Sequence, residues 1–316
     1  MFAGRRPTAL WTTLAGVSAL ALPLVPAGCA HADVSSARVP RIVRPVFDRD
    51  AAFRLLAKQC DFGPRVPGTD GHDKTRAFLV AELSRFTARV QRQDFRYRGI
   101  TMTNIIAAFG PAGPPRVLLC AHWDTRPTAD MEVDEAKRAM PIPGANDGAS
   151  GVAVLLELAR GFKQQAPPVG VVIALLDGED FGDFRRDEGV LLGAKHLARN
   201  QAPLGGTPRV GILLDMVGGR DLLIRREANS DRYARAVNDL VFQTARDLGY
   251  GERFVEDPIT ITDDHVPLNQ AGIPTIDLID FNYGPWHTLD DTPDKCSAES
   301  LGIIGNVVAE VVYRQK

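Results

Sequence analysis

The sequence predicts an α/β fold, a three-layer sandwich with a mostly parallel central sheet, an antiparallel edge and helices on both faces. Three observations predict it. Short apolar runs alternate with longer stretches of helical periodicity, as in strand–helix–strand crossovers. The first two extended runs follow each other directly, as an antiparallel edge pair would. Histidines and acids also cluster where several of the runs end, and open α/β sheets place their sites outside the carboxyl ends of strands.

In chain order, apolar Ala52, Phe53, Leu55 and Leu56 predict a helix over about 50–58. The turn residues of Phe62-Gly63-Pro64-Arg65-Val66-Pro67-Gly68 break it. Asp70 is positioned to cap the next helix, in which Phe78, Leu79 and Leu83 recur at helical spacing. Strands are expected near 89–96, 101–109 and 116–121, then a helix at 149–163, a strand at 170–176, a helix at 190–199 and a strand at 209–214. A short strand near 222–225, a helix at 231–248, a strand at 273–280 and a helix at 297–313 complete the pattern. Two irregular stretches, Thr125 to Asn146 and Gly178 to Glu188, interrupt it. Long connections of this kind inside a domain are usually functional.

Residues 1–32 read as an export signal. Arg5 and Arg6 precede an apolar run from Ala9 to Val25 that is short and rich in small residues. Two processing sites compete: Ala30-His31-Ala32 fits cleavage before Asp33, and Pro26-Ala27-Gly28-Cys29 looks like a bacterial lipoprotein box that would put a lipid on Cys29. Arg5-Arg6 also fits a twin-arginine signal. The expected destination is a bacterial periplasm or cell envelope, with membrane attachment only through Cys29. Residues 33–47 form a linker, and 48–316 a single catalytic domain.

The chain has 316 residues, 45% of them hydrophobic and 24% charged, which is ordinary for a globular protein. A net charge of −2 gives no electrostatic reason to expect nucleic acid. No apolar stretch beyond the N-terminus is long enough to span a membrane. Cys60, Cys120 and Cys296 follow Cys29; the odd count excludes a complete set of internal disulfides, and a Cys60–Cys296 bridge is left open.

The chemistry lies at the strand ends. His122-Trp123-Asp124 follows the third strand, with Asp124 spaced to orient the imidazole. Asp147 stands in a glycine-rich turn, Gly144 to Gly151, that opens a helix. In Asp177-Gly178-Glu179-Asp180, three acids within four residues repel one another unless a cation or protons hold them. Asp215 ends another apolar run, Asp263-Asp264-His265 precedes the last strand, and His287 follows it beside Trp286. Two histidines and several carboxylates on one sheet edge read as a zinc site. Glu179, beside the candidate ligand Asp180, suits proton transfer. Trp286 and Trp123 are candidates to wall a substrate pocket.

This set resembles the zinc aminopeptidase-like superfamily, and within it the bacterial branch of the glutaminyl cyclases, over about residues 50–316. Cys60 to Gly68 is similar to that family's N-terminal segment, and His122-Trp123-Asp124-Thr125-Arg126-Pro127 to its bacterial branch. Asp263-Asp264-His265 resembles the cyclases' double-acid motif, where aminopeptidases commonly carry serine first, and Trp286 is likewise cyclase-like. The resemblance implies zinc held by Asp147, Asp180 and His287, with Glu179 as proton shuttle. It also implies a carboxylate network through Asp215 and Asp263, and peptide or protein N-termini as substrate. One zinc is expected; in dizinc aminopeptidases the positions of His122 and Asp215 would hold a second. Two departures stand out: Asp180 replaces the glutamate of many relatives, and Asp277 the histidine of the animal enzymes.

Overall fold

Six strands form one sheet in the order β1-β2-β4-β3-β5-β8. They are β1 (Val90–Tyr97), β2 (Ile100–Phe109), β3 (Val117–His122), β4 (Val171–Leu176), β5 (Val210–Asp215) and β8 (Thr275–Ile279). β4, β3, β5 and β8 run parallel, while β2 is antiparallel to both β1 and β4. The structure, a computed structural model, describes residues 43–316. The expected export signal, Cys29 and most of the linker lie outside the described residues. No helix among the described residues is long and apolar enough to cross a membrane.

Every residue of β3, β4 and β5 is buried. The two-residue alternation of a strand explains how both faces are used. Val117, Leu119 and Ala121 pack into one apolar core with Ile173, Leu175, Ile212 and Leu214. Leu118, Cys120, Ala174, Leu176 and Leu213 pack into a second core on the opposite face. The first core is closed by α1 (Arg49–Cys60), α2 (Asp70–Phe86), α3 (Ala149–Gln164), α5 (Ala228–Asp247) and α7 (Ala298–Tyr313). The second is closed by α4 (Leu192–Arg199) and α6 (His265–Gln270), through Ala194, Leu197 and Leu268.

β1 and β2 join through Arg98 and Gly99, both at positive φ (48° and 84°), the two-residue turn whose twist matches paired strands. α2 starts one residue earlier than its sequence suggests. Thr69, not Asp70, is its cap, with the hydroxyl accepting from the His72 N–H at 3.4 Å. The sequence reading omitted β7 (Phe254–Ile259), which pairs in parallel with β6 (Ile224–Glu227) in a separate two-stranded sheet. Glu256, Asp257 and Pro258 obscure β7, and its pairing shifts register there, Arg225 facing Val255 and Arg226 facing Pro258; both features belong to an exposed strand with little core to bury. Cys60, Cys120 and Cys296 are free thiols.

Candidate metal centre

The four parallel strands deliver their carboxyl ends to one edge. His122 is the last residue of β3, Asp215 the last of β5, Glu179 and Asp180 lie just past β4, and His287 follows β8. Asp147 comes from the turn before α3. Two trios result, His122–Asp147–Asp215 and Asp147–Asp180–His287, and within each the candidate ligand atoms lie within 4.8 Å of one another.

Asp147 belongs to both trios and turns one oxygen to each. His122 Nε2 is 3.2 Å from Asp147 Oδ1 and 3.1 Å from Asp215 Oδ1. His287 Nε2 is 3.7 Å from Asp147 Oδ2 and 3.4 Å from Asp180 Oδ2. Asp180 Oδ2 is buried and has no hydrogen-bond partner. An ionised oxygen in that state costs several kcal/mol unless a cation or proton meets it. One imidazole nitrogen and two carboxylates, with room for a further ligand, fit zinc.

Backbone conformation makes the close approach feasible. Gly148 has φ +93°, and a side chain there would meet the Asp124 carbonyl oxygen at 2.4 Å and the His122 ring at 3.1 Å. His287 itself sits at φ +56°, a conformation costly for a residue with a side chain and concentrated at functional sites.

A second layer of side chains holds these groups. The Asp124 carboxylate accepts from the Glu179 and Asp180 N–H groups at 3.1 and 3.2 Å, and lies 3.5 Å from His122 Nδ1. Asp291 accepts from the N–H groups of Asn146 (2.8 Å) and Asp147 (3.1 Å) and from the Tyr283 hydroxyl (2.8 Å). The guanidinium of Arg65, fully buried, donates to the carbonyls of Trp123, Pro143, Gly144 and Asp147, stitching the His122 loop to the Asp147 loop. Arg126 donates to Asp180 Oδ1. The sequence reading gave Asp124 its supporting role and missed Asp291 and Arg65. For Arg65 the available signal was an arginine inside a turn segment that otherwise needs no charge.

Burial raises the pKa of Glu179 well above the usual carboxylate range, and Asp263, Asp180 and Asp264 push it further while His122 opposes them. Burial likewise raises Asp180 and Asp215. Asp147 moves the other way: His122 and His287 overcome the effect of burial and lower it. His287 is pushed up to about 9, because Asp130 and Asp180 outweigh the burial that works against its charge.

Asp263, His265 and Asp277 converge behind this edge. Burial, with Asp215 nearby, pushes Asp263 up to about 7, and burial raises Asp264 and Asp277 well above their usual value. No hydrogen bond reaches the side-chain oxygens of Asp264 or Asp277. Burial without a partner disfavours the charged form of such carboxyls.

A cleft of about 970 Å³ opens over the edge, lined by Asp147, Glu179, Asp180, Asp215, Asp263 and His287 among others. Trp286 also lines it, stacked on His287 with ring centres 3.9 Å apart and leaning on Phe281 at 4.8 Å. Trp123 does not, contrary to the expectation that it walls the pocket. It is fully buried, its indole N–H donates to the Thr103 carbonyl at 3.2 Å, and it stacks on His72 at 4.4 Å. Side chains in a strand and its extension alternate in direction, so the residue after His122 points away from the edge.

Comparison with known proteins places this geometry among relatives. The sequence profile of Peptidase family M28 matches residues 104–312. A leucine aminopeptidase precursor from Bacteroides thetaiotaomicron superposes with TM-score 0.84 at 40% identity, over 87% of this chain and 100% of that one. The glutaminyl cyclase of the same organism, solved with N-acetylhistamine bound, gives 0.82 at 40% identity with the same coverage. Glutaminyl-peptide cyclotransferase of Drosophila melanogaster is 24% identical over 275 residues, 76% of this chain and 75% of that protein. A shorter match, 39% over 134 residues, covers 42% of this chain and 38% of the uncharacterized protein YfbL of Escherichia coli.

Proposed function

The chain belongs to peptidase family M28, and from that premise we propose that it is a zinc-dependent glutaminyl-peptide cyclotransferase, converting N-terminal glutaminyl residues of peptides or proteins to pyroglutamate with release of ammonia. The observation that carries the reading is the unequal state of the two trios. His122 and Asp215 already satisfy each other at 3.1 Å, whereas Asp180 Oδ2 faces His287 and Asp147 with no partner of its own. That asymmetry supports one zinc, held by Asp147, Asp180 and His287.

Zinc bound there would polarise the γ-carbonyl of the glutaminyl side chain and stabilise the negative charge that builds on its oxygen. The substrate supplies its own nucleophile. Its α-nitrogen bonds to the side-chain carbonyl carbon, the bond from that carbon to the amide nitrogen breaks, and ammonia leaves. Glu179 takes the proton from the attacking nitrogen and delivers it to the departing one. A carboxyl with a raised pKa suits both halves of that task. The buried acids Asp263 and Asp264 nearby raise it further. Trp286 gives the folded-back substrate a flat apolar wall, so the cleft works mainly by enforcing one conformer. The Arg5-Arg6 and Cys29 segment supports export to the cell envelope, where peptide N-termini would be met.

One specific observation favours a second reading, a dizinc aminopeptidase. All donors for a second ion are present, with His122, Asp147 and Asp215 within 4.8 Å of one another. Mass spectrometry separates the two. Incubation with a Gln-initiated peptide should remove the mass of one ammonia and leave an unrelated aminoacyl peptide intact; release of free amino acids from both would replace the cyclase by the peptidase.

A further inference from the structure

The loop after β3 reaches across the cleft edge and touches both outer ligands of the Asp147–Asp180–His287 trio from behind. Arg126 is buried, and its guanidinium donates one N–H to Asp180 Oδ1 and two others to Asp130, at 2.9 Å to Oδ1 and 3.0 Å to Oδ2. Asp130 Oδ1 in turn lies 3.0 Å from His287 Nδ1. The backbone repeats the connection, with the Met131 N–H donating to the His287 carbonyl at 3.2 Å and the Leu289 N–H to Glu132 Oε1 at 2.9 Å. Asp180 and His287 come from different strand ends, and this chain of contacts joins them without passing through the centre of the trio.

We propose that Arg126 and Asp130 act together as a positioning strap that makes Asp180 a one-oxygen zinc ligand and fixes the ring of His287. The inference rests on the zinc site of the proposed function, not on the reaction assigned to it. Arg126 consumes the oxygen of Asp180 that faces away from the trio, and Asp130 sets a negative charge beside the outward nitrogen of His287. With Oδ1 taken by Arg126, only Oδ2 of Asp180 is left for the ion. The Asp130 carboxylate, 3.0 Å from Nδ1 but outside hydrogen-bond geometry, favours by its charge the tautomer of neutral His287 with the proton on Nδ1, which leaves the Nε2 lone pair free, the arrangement common behind zinc-bound histidines. The physical gain is a coordination position. A carboxylate gripping the ion through both oxygens would occupy the place that the substrate carbonyl needs. Aspartate is one methylene shorter than glutamate, so its carboxylate is set close to the backbone and needs an outside group to turn it. A forked guanidinium can hold two carboxylates at once; an ammonium at the same place cannot reproduce that geometry.

The test measures metal binding as well as turnover. Full-length protein is stripped of metal and titrated with zinc against a chromophoric chelator, then loaded with cobalt, whose visible absorption is strong in four-coordinate sites and weaker when a further oxygen joins. Arg126→Gln should weaken zinc binding by about 10- to 100-fold, the usual cost of losing such a supporting contact, and should weaken the cobalt band as Asp180 turns both oxygens inward. Asp130→Asn should weaken zinc binding with a smaller spectral change. Arg126→Lys should recover only part of the affinity and not the band. Thermal unfolding of the metal-free variants guards against misfolding: if Arg126→Gln melts far below wild type, the comparison rests on Arg126→Lys and Asp130→Asn. Unchanged zinc affinity and an unchanged cobalt spectrum in folded Arg126→Gln overturn the strap, as does wild-type protein without measurable zinc affinity. Wild-type protein that binds zinc but does not cyclise Gln-initiated peptides removes the proposed reaction and leaves the strap standing.

Discussion

The two trios share Asp147 yet differ in what surrounds them. On the His122 side the imidazole is closed off: Nε2 lies between Asp215 and Asp147 at 3.1 and 3.2 Å, and Asp124 stands 3.5 Å behind Nδ1. On the His287 side the contacts between candidate ligands are longer, 3.4 and 3.7 Å, and the short contacts come from outside, through Arg126 and Asp130. A region that satisfies itself needs no ion, whereas one whose supports all pull outward leaves its inner atoms for a ligand. On the one-zinc proposal, the difference teaches that the presence of metal-ligand residues alone does not set the number of ions; the partners behind them do.

Breaking the shared member should have the largest effect. Asp147→Asn is expected to lose zinc by more than the roughly 100-fold that loss of a supporting residue causes, with activity falling to background. Equilibrium dialysis and a cyclisation assay read both. Glu179→Gln comes next. It should lower kcat by about 10²–10⁴, the range for a lost proton-transfer group, while zinc content stays at the wild-type level; near-normal turnover would remove Glu179 from its role.

Asp215→Asn sharpens the comparison directly. If the His122 side is a hydrogen-bonded support, the variant keeps its full zinc content and kcat/KM drops by about 10- to 100-fold. A loss of half the bound metal would instead make that side a second ion site. The smallest effect concerns pH. Burial, with Asp215 nearby, raises Asp263 from its ordinary 3.8 to about 7 in the folded protein. Its contribution to the stability of metal-free protein is therefore fully present below pH 4 and lost as pH rises through 7. Asp263→Asn should flatten the fall in melting temperature between pH 4 and 7, and an unaltered slope would show that Asp263 does not titrate in that window.

Much of this site was legible because its chemistry sits where apolar strands stop, and a strand end is a local signal. His122, Asp180 and Asp215 each follow an apolar run, and the alternation of such runs with helical periodicity gave the sheet and its antiparallel edge. The supporting layer was less accessible. Asp291 holds the backbone of Asp147 from 144 positions away, and Arg65 ties down the Trp123 and Gly144 carbonyls from 58 and 79 away. Nothing in the local pattern distinguishes Asp291 from a solvated acid, and Arg65 is marked only by its place in a turn segment that otherwise needs no charge. Trp123 shows the opposite failure: proximity in sequence to His122 suggested the pocket, but the alternation of the strand sends its indole under the sheet, against His72. β7 escaped notice because an exposed strand with Glu256, Asp257 and Pro258 lacks the apolar signature that burial imposes.

The most direct measurement is the zinc content per chain of purified, catalytically competent protein, taken by elemental analysis alongside the rate on a Gln-initiated peptide. The account predicts full cyclisation activity at one zinc per chain, with added zinc giving no further gain. Activity that rises in step with a second bound ion, and hydrolysis of the peptide in place of cyclisation, would contradict it.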